Sequence, residues 1–268
     1  MNNSEKKRTT MMTYNLLVGY NDYFPKHAER GPRVVEVIHK YNPDILGVQE
    51  ASPRWKEQLD LLLADKYDMV GFGRDSAMNE DGTLNENKGE AQFVLYSKEK
   101  FELLDTTTEW LSATPSVPQS KYEGQAYLRV VTWAHLRRKE DGKEFVHCNT
   151  HLDFERKLQV KEVIQIIERM EKYHQAGLPI IITGDFNMTP DAPAFKLFEN
   201  FGYISALDKA EKKGAVGKTC PSHQEGGVLI DHLMSNSVVE AKYYTVCQDF
   251  VEGKAPSDHF PVYVEFMF

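Results

Sequence analysis

The chain has 268 residues, 41% of them hydrophobic and 11% aromatic, a composition that can fill a large core and excludes an intrinsically disordered chain. Its net charge of -8 argues against a broad cationic surface for duplex nucleic acid. No run approaches the roughly 20 apolar residues of a membrane span, and the polar start MNNSEKKRTT lacks a secretion signal, so we expect a cytoplasmic protein.

Apolar runs bounded by Gly, Pro, Asp or Asn recur along the chain and are typical of strands. In chain order they cover residues 11–18, 45–48, 92–96, 128–136, 145–151, 180–186, 229–234 and 261–268. Helical patterns lie between them at residues 32–40, 55–63, 157–173 and 192–200. This alternation favours one layered α/β domain over residues 11–268, preceded by a frayed segment at 1–10. Residues 74–89 and 112–124 are predicted as long loops that select the substrate.

Polar side chains follow three of the predicted strands at the point where each strand ends. Glu50 follows the second strand, Asn149 and His151 end the fifth, and Asp185 and Asn187 follow the apolar part of the sixth. The carboxyl ends of strands in an open α/β sheet form the crevice where ligands bind. Residues two apart on a strand also point to the same face. We therefore expect these residues in one site, with Asn149 as a substrate contact.

Two further carboxylate and imidazole pairs lie beside the last predicted strands. Asp231 belongs to the segment IDH, and Asp258 and His259 belong to SDHFPV. Carboxylates beside buried strands are costly unless they are paired or bind a cation. A ligand set rich in oxygen and without a cysteine cluster favours Mg²⁺ or Mn²⁺ over a structural zinc.

Each of these residues also has an ordinary structural explanation when it is taken alone. A single Asp or Asn at a strand end is more often a helix cap or a turn former. Glu162 and Glu168, within the third helical pattern, are assigned to a solvated helix face. Only the conjunction of many such positions favours a catalytic site.

Seven motifs occur here in the order found in the endonuclease/exonuclease/phosphatase superfamily, whose members resemble DNase I. They are TYNL, GVQE, GEAQFVLYS, NTHLD, GDFN, IDH and SDHFPV. On these motifs the chain resembles that superfamily over residues 11–268, and in particular its small bacterial metal-dependent hydrolases. The resemblance implies a four-layer α/β/β/α sandwich, in which helices flank two packed mixed sheets and one metal-dependent site lies at the top.

The resemblance also implies which residues bind the metal and activate water. Glu50 would be the principal metal ligand, with Asn15 and Asp258 close to the ion. Asp185 would orient and deprotonate the attacking water, and Asn187 would donate a hydrogen bond to the scissile phosphate.

A second group of residues is expected around the phosphate. By resemblance, His259 would bind the phosphate while Asp231 holds its tautomer. His151 would be a second catalytic histidine, and Glu90 its supporting carboxylate. Arg129 would contact the phosphate.

The expected activity is divalent-metal-dependent hydrolysis of a phosphoester, of the phosphodiesterase or nuclease type, by direct attack of water. The segment TEWLS, residues 108–112, resembles the branch that includes poly(A)-trimming deadenylases. It favours nucleotide-type esters or single-stranded nucleic acid. Two alternatives remain, namely a phosphomonoesterase on sugar or inositol phosphates and a noncatalytic binding protein of the same fold. The sequence leaves the oligomeric state open.

Overall fold

The structure is a computed structural model and describes residues 6–21, 24–221 and 226–268. Its strands are β1 Arg8–Asn15, β2 Ile45–Gln49, β3 Tyr67–Val70, β4 Ala77–Met78, β5 Leu84–Asn85, β6 Val94–Ser97, β7 Phe101–Trp110, β8 Val130–Arg138, β9 Glu144–His151, β10 Ile180–Asp185, β11 Ile204–Ser205, β12 Lys212–Lys213, β13 Asp231–Ser235, β14 Glu240–Val246 and β15 Val262–Met267. Its helices are α1 His27–Tyr41, α2 Pro53–Leu63, α3 Arg156–Gln175, α4 Pro193–Asn200 and α5 Ala206–Lys209.

Two mixed sheets pack face to face, and helices cover their outer faces. One sheet has the strand order β12-β14-β15-β1-β2-β6-β3, and the other has the order β11-β13-β10-β9-β8-β7. Residues of α1 and α2 pack on the outer side of the first sheet, and residues of α3 and α4 pack on the outer side of the second. This arrangement confirms the predicted α/β/β/α sandwich. Within the described residues, no helix combines the length and apolar character that a bilayer crossing requires.

The central strands are buried on both faces, which explains why they appear as apolar runs in the sequence. Met11 of β1 lies in the core between the sheets, whereas Met12 lies beneath α1 and α2. Ile181 and Ile182 of β10 divide in the same way between the inner core and the core under α3 and α4. Successive strand side chains point to opposite faces, so a strand covered on both sides is apolar throughout.

Some elements differ from the sequence prediction. Strand β1 begins at Arg8, and Thr9 and Thr10 are buried, so residues 8–10 belong to the sheet and not to the frayed segment predicted for residues 1–10. The first five residues of that segment lie outside the described part of the chain. Strands β3, β7 and β14 were not predicted, and the predicted loop at residues 74–89 contains the short hairpin β4-β5.

Strand register places the site at one edge of both sheets. Strands β1 and β2 are parallel, with Asn15 opposite Gln49. Strands β9 and β10 are also parallel and set His151 opposite Asp185, while antiparallel β13 sets Asp231 on the other side of Asp185. The carboxyl ends of β1, β2, β9 and β10 and the amino end of β13 therefore bring side chains from distant parts of the chain together.

Candidate active site

The amide of Asn15 joins the two sheets at the centre of the site. Its Nδ2 donates to Glu50 Oε1 at 3.0 Å and to Asp185 Oδ2 at 2.9 Å. Its Oδ1 accepts from the backbone N–H of Leu17 at 3.0 Å, which fixes the orientation of the amide. One buried side chain thus sets the spacing between the carboxylates of Glu50 and Asp185.

Glu50 has a left-handed backbone conformation immediately after β2, with φ 56°. This conformation is uncommon for a residue other than glycine and persists only where the surroundings hold it. The backbone N–H of Val18 donates to Glu50 Oε2 at 2.7 Å and holds the carboxylate from its other side. The carboxylate consequently has a fixed position at the rim of the cleft.

Asp258 lies close enough to Glu50 for the two carboxylates to repel one another. Burial, opposed by His259 and reinforced by Glu50, raises the pKa of Asp258 above its ordinary value. Ser257, its neighbour in the chain, donates to the backbone carbonyl of Asn15 at 2.7 Å. Two carboxylates brought together in this way offer hard oxygen ligands, and a divalent cation would relieve their repulsion.

A second group with metal-binding potential consists of Asp185, Asp231 and His259, whose ligand atoms all lie within 4.8 Å of one another. In this group His259 Nδ1 is hydrogen bonded to Asp231 Oδ2 at 2.8 Å, and His259 Nε2 lies 3.8 Å from Asp185 Oδ2. Since one ring nitrogen of His259 is already bonded to a carboxylate, this geometry also suits proton handling.

The electrostatics of this group favour a protonated imidazole beside a buried carboxylate. Burial alone would lower the pKa of His259, but the adjacent Asp231 overrides burial and raises that pKa well above its ordinary value. Burial, followed by repulsion from Asp231, raises the pKa of Asp185 to about 7. Such a carboxylate can accept a proton near neutral pH, and the imidazolium can stabilise negative charge.

His151 is a neutral imidazole on the other side of Asp185. Its Nε2 lies 3.6 Å from Asp185 Oδ2, and its Nδ1 is buried without a hydrogen-bond partner among the described residues. Burial, with added repulsion from Arg129 and Arg74, lowers the pKa of His151 well below its ordinary value. His151 can therefore exchange hydrogen bonds in the cleft without adding charge.

Arg129 is an unusually isolated buried cation. It is only 2% exposed, and its Nε and Nη1 have no hydrogen-bond partner within the described part of the chain. Burial and then repulsion from Arg74 lower its pKa. Because an unpaired buried guanidinium is costly, its free N–H groups provide a preformed place for an anion.

Arg74 and Glu90 complete the wall of the cleft. Arg74 Nη2 donates to Glu90 Oε1 at 2.6 Å, and both side chains are mostly buried. With Glu50, Arg129 and His151 they line a cleft of about 200 Å³. Arg74 was not singled out from the sequence; its position at the start of the predicted loop at residues 74–89 was the only signal.

Asn187 follows Asp185 in a left-handed conformation with φ 50°. Its backbone N–H donates to Asp185 Oδ1 at 2.9 Å, and its side-chain Nδ2 donates to the carbonyl of Leu152 at 2.8 Å. The amide is therefore held beside Asp185, and its second N–H has no acceptor within the described residues.

Asn149, which was predicted as a substrate contact, does not line the cleft. It is fully buried one step deeper than His151 on β9, where its Nδ2 donates to the carbonyls of Val48 and Phe93 at 2.8 and 2.9 Å. Its Oδ1 accepts from Gln49 Nε2 at 2.6 Å. Both amide N–H groups and the oxygen are therefore bonded, and Asn149 ties the two sheets together beneath the site.

Glu162 was assigned to a solvated face and is instead fully buried behind the site. Its two oxygens accept from Gln125 Nε2 at 2.7 Å and from the backbone N–H of Asp153 at 2.9 Å. Burial raises its pKa to about 7. The available signal was helical spacing, because Glu162 lies four residues from both Leu158 and Ile166, which are buried on the same face of α3.

Arg30 of α1 is another structural residue that the sequence did not single out. Its guanidinium donates at 2.6 to 3.1 Å to five backbone carbonyls, those of Leu16, Leu17, Gly19, Pro25 and Pro256. These carbonyls belong to the loop after Asn15 and to the segment before Asp258. The buried Arg30 guanidinium therefore fixes the two segments that lie next to Asn15 and Asp258.

Comparison with known proteins relates this site to a family. The family model described as Endonuclease/Exonuclease/phosphatase family matches residues 12–259. An endonuclease/exonuclease/phosphatase family protein from Bacteroides thetaiotaomicron has a similar structure, with a TM-score of 0.85 and 28% identity over 99% of both chains. A mannosyl-6-phosphatase from the same organism has a TM-score of 0.83 and 28% identity, covering 97% of this chain and 100% of that one.

A longer relative is the 3'-5'-exoribonuclease subunit of the CCR4-Not complex from Kluyveromyces lactis. It is 22% identical over 334 residues, which include 99% of this chain and 42% of that protein. The chain thus spans less than half the length of this exoribonuclease subunit.

Proposed function

The chain belongs to the endonuclease/exonuclease/phosphatase family, and from this membership we propose that it is a divalent-metal-dependent phosphoester hydrolase. One observation carries the proposal. The Asn15 amide bonds both Glu50 and Asp185, and Nε2 of His259, which is held by Asp231, lies 3.8 Å from the same oxygen of Asp185. A cation-binding carboxylate, a general base and a cationic donor thereby lie around one point, as phosphoryl transfer to water requires.

Glu50, Asn15 and Asp258 would hold Mg²⁺ or Mn²⁺. Their fit to such a cation rests on the carboxylate oxygens of Glu50 and Asp258, which repel one another, while Asn15 holds Glu50 through its amide N–H. When bound, the cation would neutralise charge on the phosphate oxygens and polarise the phosphorus centre.

Side chains of the protein carry out proton transfer and donate hydrogen bonds to the phosphate. Asp185 accepts a proton from the attacking water, since burial raises its pKa to about 7. Protonated His259 donates to a phosphate oxygen, and Asn187 and Arg129 donate to the other oxygens. The reaction requires no nucleophilic side chain, so we propose direct hydrolysis without a covalent intermediate.

As substrate class we propose a phosphodiester. The reacting groups lie between two depressions, one of about 200 Å³ lined by Glu50 and His151 and another of about 260 Å³ lined by Asn187 and Ile230. A diester phosphorus carries two substituents, and each depression can take one. The likeness to an exoribonuclease subunit supports the same class.

A phosphomonoester is the second candidate. It is favoured by the likeness to a mannosyl-6-phosphatase at 28% identity over nearly the whole of both chains. Two neighbouring guanidinium groups, Arg74 and Arg129, would also suit the dianion of a terminal phosphate.

Paired assays test the chemistry and the ester class together. We expect hydrolysis of bis-p-nitrophenyl phosphate in Mg²⁺ or Mn²⁺, loss of turnover with EDTA, and a loss of at least about 100-fold in kcat for Asp185→Asn. The matched control is Asp191→Asn, an exposed carboxylate in the same segment. A kcat for Asp185→Asn equal to that of the control would contradict the mechanism. A higher kcat/KM for p-nitrophenyl phosphate than for the diester would select the second candidate.

A further inference from the structure

Two exposed aromatic rings stand at the mouth of the cleft. Tyr127 is 52% exposed and Phe154 is 59% exposed, and both line the same cleft as Glu50 and His151. An exposed single aromatic side chain is ordinary, but two at the entrance of a polar cleft form an apolar surface over charged groups.

Both rings are held in place by buried or half-buried cations. The Arg129 guanidinium carbon lies 5.2 Å from the Phe154 ring centroid and 5.9 Å from that of Tyr127. The Arg74 guanidinium carbon lies 5.5 Å from the Tyr127 ring centroid. Cation–π contacts of this kind orient a ring, because the cation occupies one of its faces. The rest of each ring remains open to solvent and to a ligand.

The unpartnered polar atoms of Arg129 independently indicate that a ligand binds in this part of the cleft. Arg129 is almost fully buried, yet its Nε and Nη1 have no hydrogen-bond partner among the described residues, and its side chain lines the cleft. A phosphoryl group bonded to Arg129 would therefore carry its ester substituent past the two rings. Phe154 also borders the second depression, so an ester substituent in either depression would lie beside this ring.

We propose that Tyr127 and Phe154 form a subsite for a ring-bearing ester substituent, a sugar or a nucleobase, whose apolar face packs on them. This inference rests on the proposed phosphoesterase function and adds the specificity that the catalytic groups do not supply. Stacking of a ring on an aromatic side chain is sufficient to select ring-bearing substrates over acyclic ones.

The test compares matched substrates within the ester class that the enzyme hydrolyses. For diesters these are glycerophosphoglycerol and the analogues in which mannose or adenosine replaces one glycerol. For monoesters they are glycerol 3-phosphate, mannose 6-phosphate and adenosine 5'-monophosphate. We expect Phe154→Ala and Tyr127→Ala to lower the ratio of kcat/KM for ring-bearing over acyclic substrate by about 10-fold, mainly through KM. Phe154→Tyr keeps the ring and should keep the preference.

Phe201→Ala is the matched control, because Phe201 is 54% exposed and does not line the cleft. Of the two ring-bearing substrates, the one whose kcat/KM falls more in the alanine variants identifies the substituent as a sugar or a nucleobase. Equal losses on ring-bearing and acyclic substrates would assign the two aromatics a structural role and overturn the inference. A wild-type enzyme that hydrolyses bis-p-nitrophenyl phosphate or p-nitrophenyl phosphate but no ring-bearing member of either set would overturn the inference and leave the proposed function standing.

Discussion

Replacing Glu162 by glutamine should flatten the dependence of folding stability on pH between about pH 5 and pH 7. The Glu162 carboxyl group is fully buried behind the cleft, and burial raises its pKa from an ordinary value of 4.5 to about 7. The folded chain therefore binds this proton more tightly than the unfolded chain does. The contribution to stability is fully present below the ordinary pKa and is lost as the pH rises through the raised pKa.

The magnitude follows from the two pKa values. At 1.36 kcal/mol for each pKa unit, the change from 4.5 to about 7 corresponds to a loss of about 3 kcal/mol in the free energy of unfolding. Glutamine cannot ionise, so the Glu162→Gln variant lacks this term. Glutamine also replaces an oxygen that accepts from Gln125 or Asp153 by an amide donor, at a cost of about 1–3 kcal/mol that does not vary with pH.

Urea unfolding followed by tryptophan fluorescence at several pH values measures both terms. We expect the variant to be less stable than wild type near pH 5 and the difference to narrow or reverse by pH 8. Glu168→Gln, at an exposed position on the same helix, controls for removal of a negative charge from α3. If wild type and Glu162→Gln lose stability in parallel between pH 5 and pH 8, the buried carboxyl group does not titrate as argued.

Two further changes test the site and its support. Asp231→Asn should lower kcat by at least about 100-fold with a smaller change in KM, because His259 loses the carboxylate that holds it protonated; a change confined to KM would contradict this role. Asn149→Ala should lower the free energy of unfolding by about 3 kcal/mol or more, since it leaves the carbonyls of Val48 and Phe93 unpaired. Thermal and urea unfolding measure that loss, and a stable Asn149→Ala protein with a raised KM would instead support its predicted role as a substrate contact.

Strands that are buried on both faces could be predicted from the sequence alone. Strands such as β10 contain Ile180 to Ile182 in succession, and they stand out because both faces are covered. Strand β7 was missed because it lies at a sheet edge and carries polar residues on partly exposed faces. Strand β14 was missed because a bulge between Ala241 and Tyr243 interrupts its alternation.

The site shows the same division between local and distant information. The ends of the predicted strands single out Glu50, His151 and Asp185 in the sequence, and the strand register brings these residues together. No local pattern distinguishes Asn149, which bonds across the sheets, from His151 two residues later. The two residues differ in how deep they lie along the strand, and this depth matters because the opposite sheet packs closely against Asn149. An added Cβ on Gly47 of the opposite sheet would lie only 2.6 Å from Asn149 Oδ1.

The pairing of β1 with β15 has a consequence for the order in which activity appears. This pairing sets Thr13 opposite Val262, and it brings Asn15 within reach of the segment that carries Asp258 and His259. Contacts between residues so far apart in the chain form late, because a long loop must close before they gain anything. We expect a partly folded chain to have most of its secondary structure and no hydrolytic activity, so that recovery of turnover during refolding reports the completed sandwich.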